Sequence, residues 1–206
     1  MLVLDPVGLI IEDAVEADET EITIPYDPKG IIPGERKVKF TRKVYIDSSD
    51  FREGDSAEFF RLAPNKTVDL LIVPFAVRAT SFSKDSNGRV SNIRAVEVEG
   101  ERPKAYIHWV DASSGIEVVA RQYNLLFKTD SPNSLDWKAS GWADDLNPNS
   151  VVFEDAVIEK GIEGLIKTYS PYPSHASDDL VRFQALQTGY RIVLNQIVGL
   201  REDKSK

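Results

Sequence analysis

Apolar and polar residues alternate with a period of two in particular stretches before Phe127. The cleanest run is Lys37 to Asp47. Val38, Phe40, Val44 and Ile46 fall on one face, and Lys37, Lys39, Thr41 and Lys43 on the other, which predicts a single half-buried strand. Its basic face reads either as plain solvent surface or as a face that tracks phosphates. Leu2 to Ile11 is an apolar run with Pro6 and Gly8 inside it, predicting an edge or bulged strand. Glu21 to Pro25 predicts a short strand, and Pro25, Pro28, Gly30, Pro33 and Gly34 then exclude regular structure.

The pattern changes next. Asp50 to Arg61 fits one or two helical turns, with Asp50 as N-cap and Glu53 three residues on. Val68 to Phe82 predicts a long strand that Pro74 kinks or confines to an edge. An Asn87-Gly88 turn leads into a strand from Val90 to Glu99. Pro103 to Phe127 reads as two strands around the turn residues Asp111, Ser113, Ser114 and Gly115. Lys128 to Asn149 is polar and broken by Pro132, Gly141 and Pro148, with Trp137 and Trp142 to pin it. Val151 to Lys167 is ambiguous, because Val157, Ile158, Ile162, Leu165 and Ile166 fit a helical face that two glycines weaken. Leu180 to Val198 reads as strand interrupted by Gly189. Many short strands with turn signals and at most one helix of any length predict all-β barrels, in two units dividing near residue 105.

Composition narrows this picture. The chain has 206 residues, 42% hydrophobic and 28% charged, so it is expected to fold. It lacks cysteine, which excludes disulfides and thiolate metal sites. No apolar run approaches the roughly 20 residues that cross a bilayer, and Asp5, Pro6, Glu12 and Asp13 interrupt any signal-peptide pattern. A net charge of −8 counts against nucleic-acid binding by the whole surface, but not against a local basic patch.

Candidate chemistry is sparse. His108 and His175 are the only histidines. His108 lies in a predicted strand beside Tyr106 and Trp109, where a structural role is expected, and His175 lies in a loop. Gly30 and Gly34 do not match a phosphate-loop or dinucleotide spacing. No catalytic group, metal site or cofactor is expected. Recognition of single-stranded RNA needs base edges read by Arg, Gln or Asn, and Arg52, Arg61, Lys66, Gln184 and Gln187 are candidates by type.

Several stretches carry a resemblance. VLDP at Val3 to Pro6, VYIDSSDFRE at Val44 to Glu53, FFRLAPNKTV at Phe59 to Val68, YIHWV at Tyr106 to Val110, DLNPNS at Asp145 to Ser150, VRFQALQTGY at Val181 to Tyr190 and VGLRE at Val198 to Glu202 resemble the C-terminal part of glutaminyl-tRNA synthetases, of eukaryotic and fungal type. The resemblance implies two six-stranded β-barrels, related to the ribosomal protein that binds 5S rRNA, which splay the three anticodon bases into separate pockets. Residues 1–104 would form the first part and 105–206 the second, with some interleaving between barrels. The implied function is a tRNA(Gln) anticodon-binding module of a cytoplasmic glutamine-tRNA ligase. The catalytic domain, with its HIGH-type and KMSKS-type motifs and its ATP, is expected to lie before Met1 and would be a partner. A degenerate relative that keeps the barrels as a structural or protein-interaction module is the alternative.

By the same resemblance, Arg61 matches the arginine that reads the third anticodon base, unless it only pairs with Glu58. A guanidinium suits a guanine edge through two parallel donors. Gln184 matches the glutamine that reads the middle base, unless it is a polar strand residue. Gln187 stands where an arginine is usual beside that pocket. Asp69 and Leu71 stand where bacterial members have two arginines for the first base, and as i and i+2 they share a strand face. Gln196 also replaces an arginine. A turn segment of the family is missing after Tyr190, which predicts a tight reversal at Thr188-Gly189-Tyr190 or a distorted barrel.

Overall fold

A computed structural model of the chain describes residues 1–12, 20–27, 33–130, 141–164, 181–184 and 191–194. The first apolar run forms two strands, β1 (Leu2–Leu4) and β2 (Pro6–Ile11), not one. The break is Asp5, with φ of 43°, a conformation Asp tolerates better than most residues. Its carboxylate is held by Ser48 Oγ at 2.7 Å and by Arg89. β3 (Thr20–Pro25) follows. The single strand expected over 37–47 is also two, β4 (Glu35–Phe40) and β5 (Lys43–Asp47). Between them the Thr41 hydroxyl donates to Asp111 Oδ2 at 2.6 Å. The parity of the pattern is unchanged across this break, so Val38, Phe40, Val44 and Ile46 are all buried as expected.

A short 3-10 turn, Ser48–Asp50, replaces the expected helix start. Its cap is Asp47, whose carboxylate accepts from Ser49 N at 2.9 Å. Asp50 is therefore released from capping and is buried. The long strand expected through Pro74 is instead a hairpin of β6 (Thr67–Leu70) and β7 (Ala76–Lys84). Pro74 falls in the connecting turn, where Ile72 has φ of 67°, a strained setting for a β-branched residue. β7 returns as β8 (Val90–Val98) through the Asn87-Gly88 turn. There Gly88 takes φ of 79°, and the Asp85 carboxylate accepts from the amides of Asn87 and Arg89.

Tyr106–Ile107 is β9, Val110–Asp111 is β10 and Ile116–Tyr123 is β11. The Asp111 carboxylate caps the turn between the last two by accepting from Ser113 N and Ser114 N. A Cβ at Gly115 would come within 2.6 Å of the Val157 side chain and 2.9 Å of Asp111 O. One helical turn, α1 (Gly141–Asp144), precedes β12 (Val151–Ile158). The ambiguity over 151–167 resolves as strand over 151–158: Val157 and Ile158 are buried from a strand paired with β1. β13 (Val181–Gln184) and β14 (Arg191–Leu194) form an antiparallel pair, so the chain reverses between them. The expected turn residues 188–190 lie outside the described residues.

Seven strands form one curled sheet in the order β10-β5-β2-β8-β7-β6-β9. Its two ends are consecutive in the chain. β9 runs parallel to β6, β10 runs antiparallel to β5, and only His108 and Trp109 separate them. One stretch thus holds both sides of the sheet. Trp109 at the junction is fully buried, donates from Nε1 to Leu71 O at 2.9 Å and meets Phe40 edge-on at 4.9 Å. β10 and β11, expected as neighbours around a turn, belong to different sheets, because β11 joins the order β1-β12-β11. One core cluster under the curled sheet holds Leu9, Ile46, Leu70, Ile93 and Ile107, all without exposed surface. Each such side chain contributes about 1.5–3 kcal/mol by leaving water.

The chain divides into two compact units, residues 1–118 with 156–206, and residues 119–155. In the second, no described residue is buried. Phe127 and Leu146 form an isolated antiparallel bridge, and the Asn124 and Asn147 side-chain amides donate to the carbonyls of Asn149 and Leu125. Among the described residues, no helix is long and apolar enough to cross a membrane.

Candidate nucleic-acid interface

Residues 48–66 connect β5 to β6. Two backbone bonds fasten the two limbs of this loop: Arg52 N donates to Leu62 O and Leu62 N donates to Asp50 O, both at 3.0 Å. Phe51 and Leu62, paired across this bridge, point into the core. The tip of the loop is held by Lys66. Its ammonium reaches the Asp55 carboxylate at 2.5 Å and also the carbonyls of Ser56 and Phe59. The bond from Lys66 holds the Asp55 carboxyl below its usual range.

Arg61 sits on this frame. Its Nη1 lies 2.7 Å from Asp50 Oδ1; the Asp50 side chain is 0% exposed and that of Arg61 is 43% exposed. The acid it meets is Asp50, not Glu58. A guanidinium carries five donors in a fixed fork. The buried carboxylate fixes one nitrogen, and the half-exposed remainder is available to an incoming acceptor.

The neighbouring residues combine aromatic rings and cations. The Arg52 guanidinium lies 4.3 Å from the centre of the Phe59 ring, and the Lys104 ammonium lies 5.4 Å from the centre of the Phe60 ring. Phe59 is buried, whereas Phe60 is 49% exposed. Sequence reasoning selected Arg52, Arg61 and Lys66 by type and passed over Asp50, Phe60 and Lys104. The available signal was the pair of aromatics directly before Arg61.

Asp69 is in β6 and Leu71 one residue beyond it, both half-buried. Their amides donate to Ala105 O and Ile107 O at 3.1 and 3.0 Å, which fastens this backbone along β9. Gln184 ends β13 opposite Arg191. The side chain of Gln184, and Gln187 and Gln196 entirely, lie outside the described residues, as does His175. Lys66 also lines a shallow cleft of about 390 Å³ with Asn65, Thr67, Arg78, Glu101 and Arg102. There Arg78 is matched to Glu101 and Thr67.

His108 occupies the break between β9 and β10, not a continuous strand. Burial pushes its pKa down, the positive Met1 amino group and Arg61 add to this, and Glu159 opposes it. The imidazole is thus held neutral, as suits a structural residue. Glu159 is itself buried, in ion pairs with Arg36 and the Met1 amino group. Among the described residues, no three His, Cys, Asp or Glu side chains converge as metal ligands would.

Residues 1–98 match a family model described as tRNA synthetases class I (E and Q), anti-codon binding domain, and residues 106–169 match a second model of the same description. A glutamine-tRNA ligase protein of Hypocrea virens is 42% identical over 226 residues, covering 100% of this chain and 34% of that protein. The glutamine-tRNA ligase of Saccharomyces cerevisiae is 36% identical, covering 100% of this chain and 30% of its own length. A probable glutamine-tRNA ligase of Schizosaccharomyces pombe is also 36% identical, covering 100% and 28%. The chain spans about a third of the length of these relatives.

Proposed function

We propose, from the premise that the chain belongs to the anticodon-binding domain family of class I (E and Q) tRNA synthetases, that it is the tRNA(Gln) anticodon-binding module of a cytoplasmic glutamine-tRNA ligase. Adenylate formation and ATP binding then fall to a catalytic domain outside this chain, with which the module works. The proposed architecture is two six-stranded barrels, built from residues 1–104 and 105–206 with interleaving. The order of the curled sheet supports the first barrel. Its two ends are one stretch, Tyr106 to Asp111, and counting that stretch once turns seven strands into six around a ring.

The observation that carries the functional reading is Arg61, gripped by a buried acid and half open to solvent. In this reading Arg61 presents its remaining donors to the third anticodon base. Gln184 reads the middle base with Gln187 beside it, and Asp69 and Leu71 border the site of the first. Gel-shift titration of the 206-residue chain with tRNA(Gln) and an anticodon-swapped control tests this. Arg61→Lys keeps a cation for Asp50 but removes the two-donor fork, so discrimination at one anticodon position should fall by about 1–3 kcal/mol. Equal binding to all tRNAs, or none, would overturn the reading in favour of a barrel module without RNA recognition.

A further inference from the structure

The loop before β6 repeats one arrangement twice with different consequences. A cation rests on an aromatic ring at Arg52–Phe59 and again at Lys104–Phe60. Phe59 is buried, so its ring anchors the loop and aligns Arg52. Phe60 contributes little to the core, with half its surface in water. Other basic side chains of this loop and of β7 are matched to acids: Arg61 to Asp50, Lys66 to Asp55, Lys84 to Glu53 and Arg78 to Glu101. Among the described residues, neither Arg52 nor Lys104 has such a carboxylate, in a chain whose net charge is −8. The half-open ring that precedes Arg61 in the chain thus carries one such cation, Lys104, and the loop carries the other, Arg52.

We propose that Phe60 and Lys104 form a base-indifferent platform for one unpaired ribonucleotide next to the one Arg61 contacts. The base stacks on the Phe60 ring, and the adjoining phosphate meets the Lys104 ammonium, with Arg52 as a second cation along the same strand. Any base has a π-face, so stacking adds affinity without reading sequence, and uncompensated cations add phosphate attraction that salt weakens. This inference rests on the RNA-binding reading above and divides its labour: Arg61 discriminates, Phe60 and Lys104 hold.

The test is fluorescence anisotropy of the 206-residue chain with labelled tRNA(Gln) and a control altered at the third anticodon base, over a range of salt. Phe60→Leu keeps apolar bulk without a π-face and should weaken binding to both RNAs about tenfold while leaving their ratio unchanged. Phe60→Trp should restore binding. Lys104→Met should lower the log–log salt slope by about 0.7. Thermal melts of these variants should match the parent chain, since neither side chain is buried. If Phe60→Leu and Lys104→Met bind like the parent while Arg61→Lys loses discrimination, the platform falls and the anticodon reading stands. If the parent binds both RNAs equally and Phe60→Leu still weakens binding, the platform stands and the anticodon reading falls. If the parent binds neither RNA, both fall.

Discussion

Residues 1–118 with 156–206 and residues 119–155 solve the problem of strand stability differently. In the first unit the alternation is converted into burial: Leu9, Val44, Ile46, Val68, Leu70 and Ile93 have no exposed surface. In the second, the alternation in β11 produces exposed Val119 and Tyr123, and Phe153 in β12 is 62% exposed. What orders the second unit is local polar chemistry. Thr129 binds the Asp145 carboxylate, the Lys128 ammonium bonds to Asp144 O, and the Arg121 guanidinium lies 5.5 Å from the centre of the Phe153 ring. Period-two patterning therefore specifies a strand but not a core; burial requires a second face to close over it.

Truncations across the two units give the largest contrast. Trp109→Ala removes a buried ring and its bond to Leu71 O, and should cost about 3–5 kcal/mol in urea unfolding. If it costs no more than Phe153→Ser, the contrast is wrong. Arg61→Ala removes the ion pair of the buried Asp50 carboxylate and should cost about 2–3 kcal/mol, against under about 1 for Arg61→Lys. Equal losses for the two would show that the ion pair does not anchor the loop. Ile72→Gly relieves a positive φ and should raise stability by about 0.5–1 kcal/mol, read as a higher urea midpoint.

A pH series sharpens the picture of the junction in the first unit. The folded state lowers the pKa of His108, so the unfolded chain binds the proton more readily. Stability is then fully present above the usual histidine value near 6.5 and declines as pH falls below it. His108→Asn should flatten that part of the profile, and an unchanged slope would contradict the assignment. The smallest effect belongs to the second unit, where Phe153→Ser should stay within about 0.5 kcal/mol of the parent chain.

Much of the first unit was readable in advance because inward residues recur at even spacing. Val38, Phe40, Val44 and Ile46 were identified as one face and are all buried. The break between β4 and β5 was not readable, since Thr41 and Arg42 preserve the parity. Pro74 reads as a kink or an edge position but marks a turn between β6 and β7, because one proline is compatible with all three. Val157, Ile158 and Ile162 fit a helical spacing, yet the first two serve a strand. That choice depended on β1, more than 150 residues away, which local pattern cannot reveal. In the candidate site, Arg61 emerged through resemblance. Its partner did not, because Asp50 carries the usual signature of a helix cap and the neighbouring Asp47 took that role.

One consequence follows from the way Tyr106 to Asp111 serves both β6 and β5. Sheets ordinarily present two open rims that can recruit strands from other molecules, and here a single run zips both. Intermolecular strand addition to this sheet is disfavoured without any need for guarding charges. The same economy ties the two rims to one short run, whose pairings with β6 and β5 lie only two residues apart.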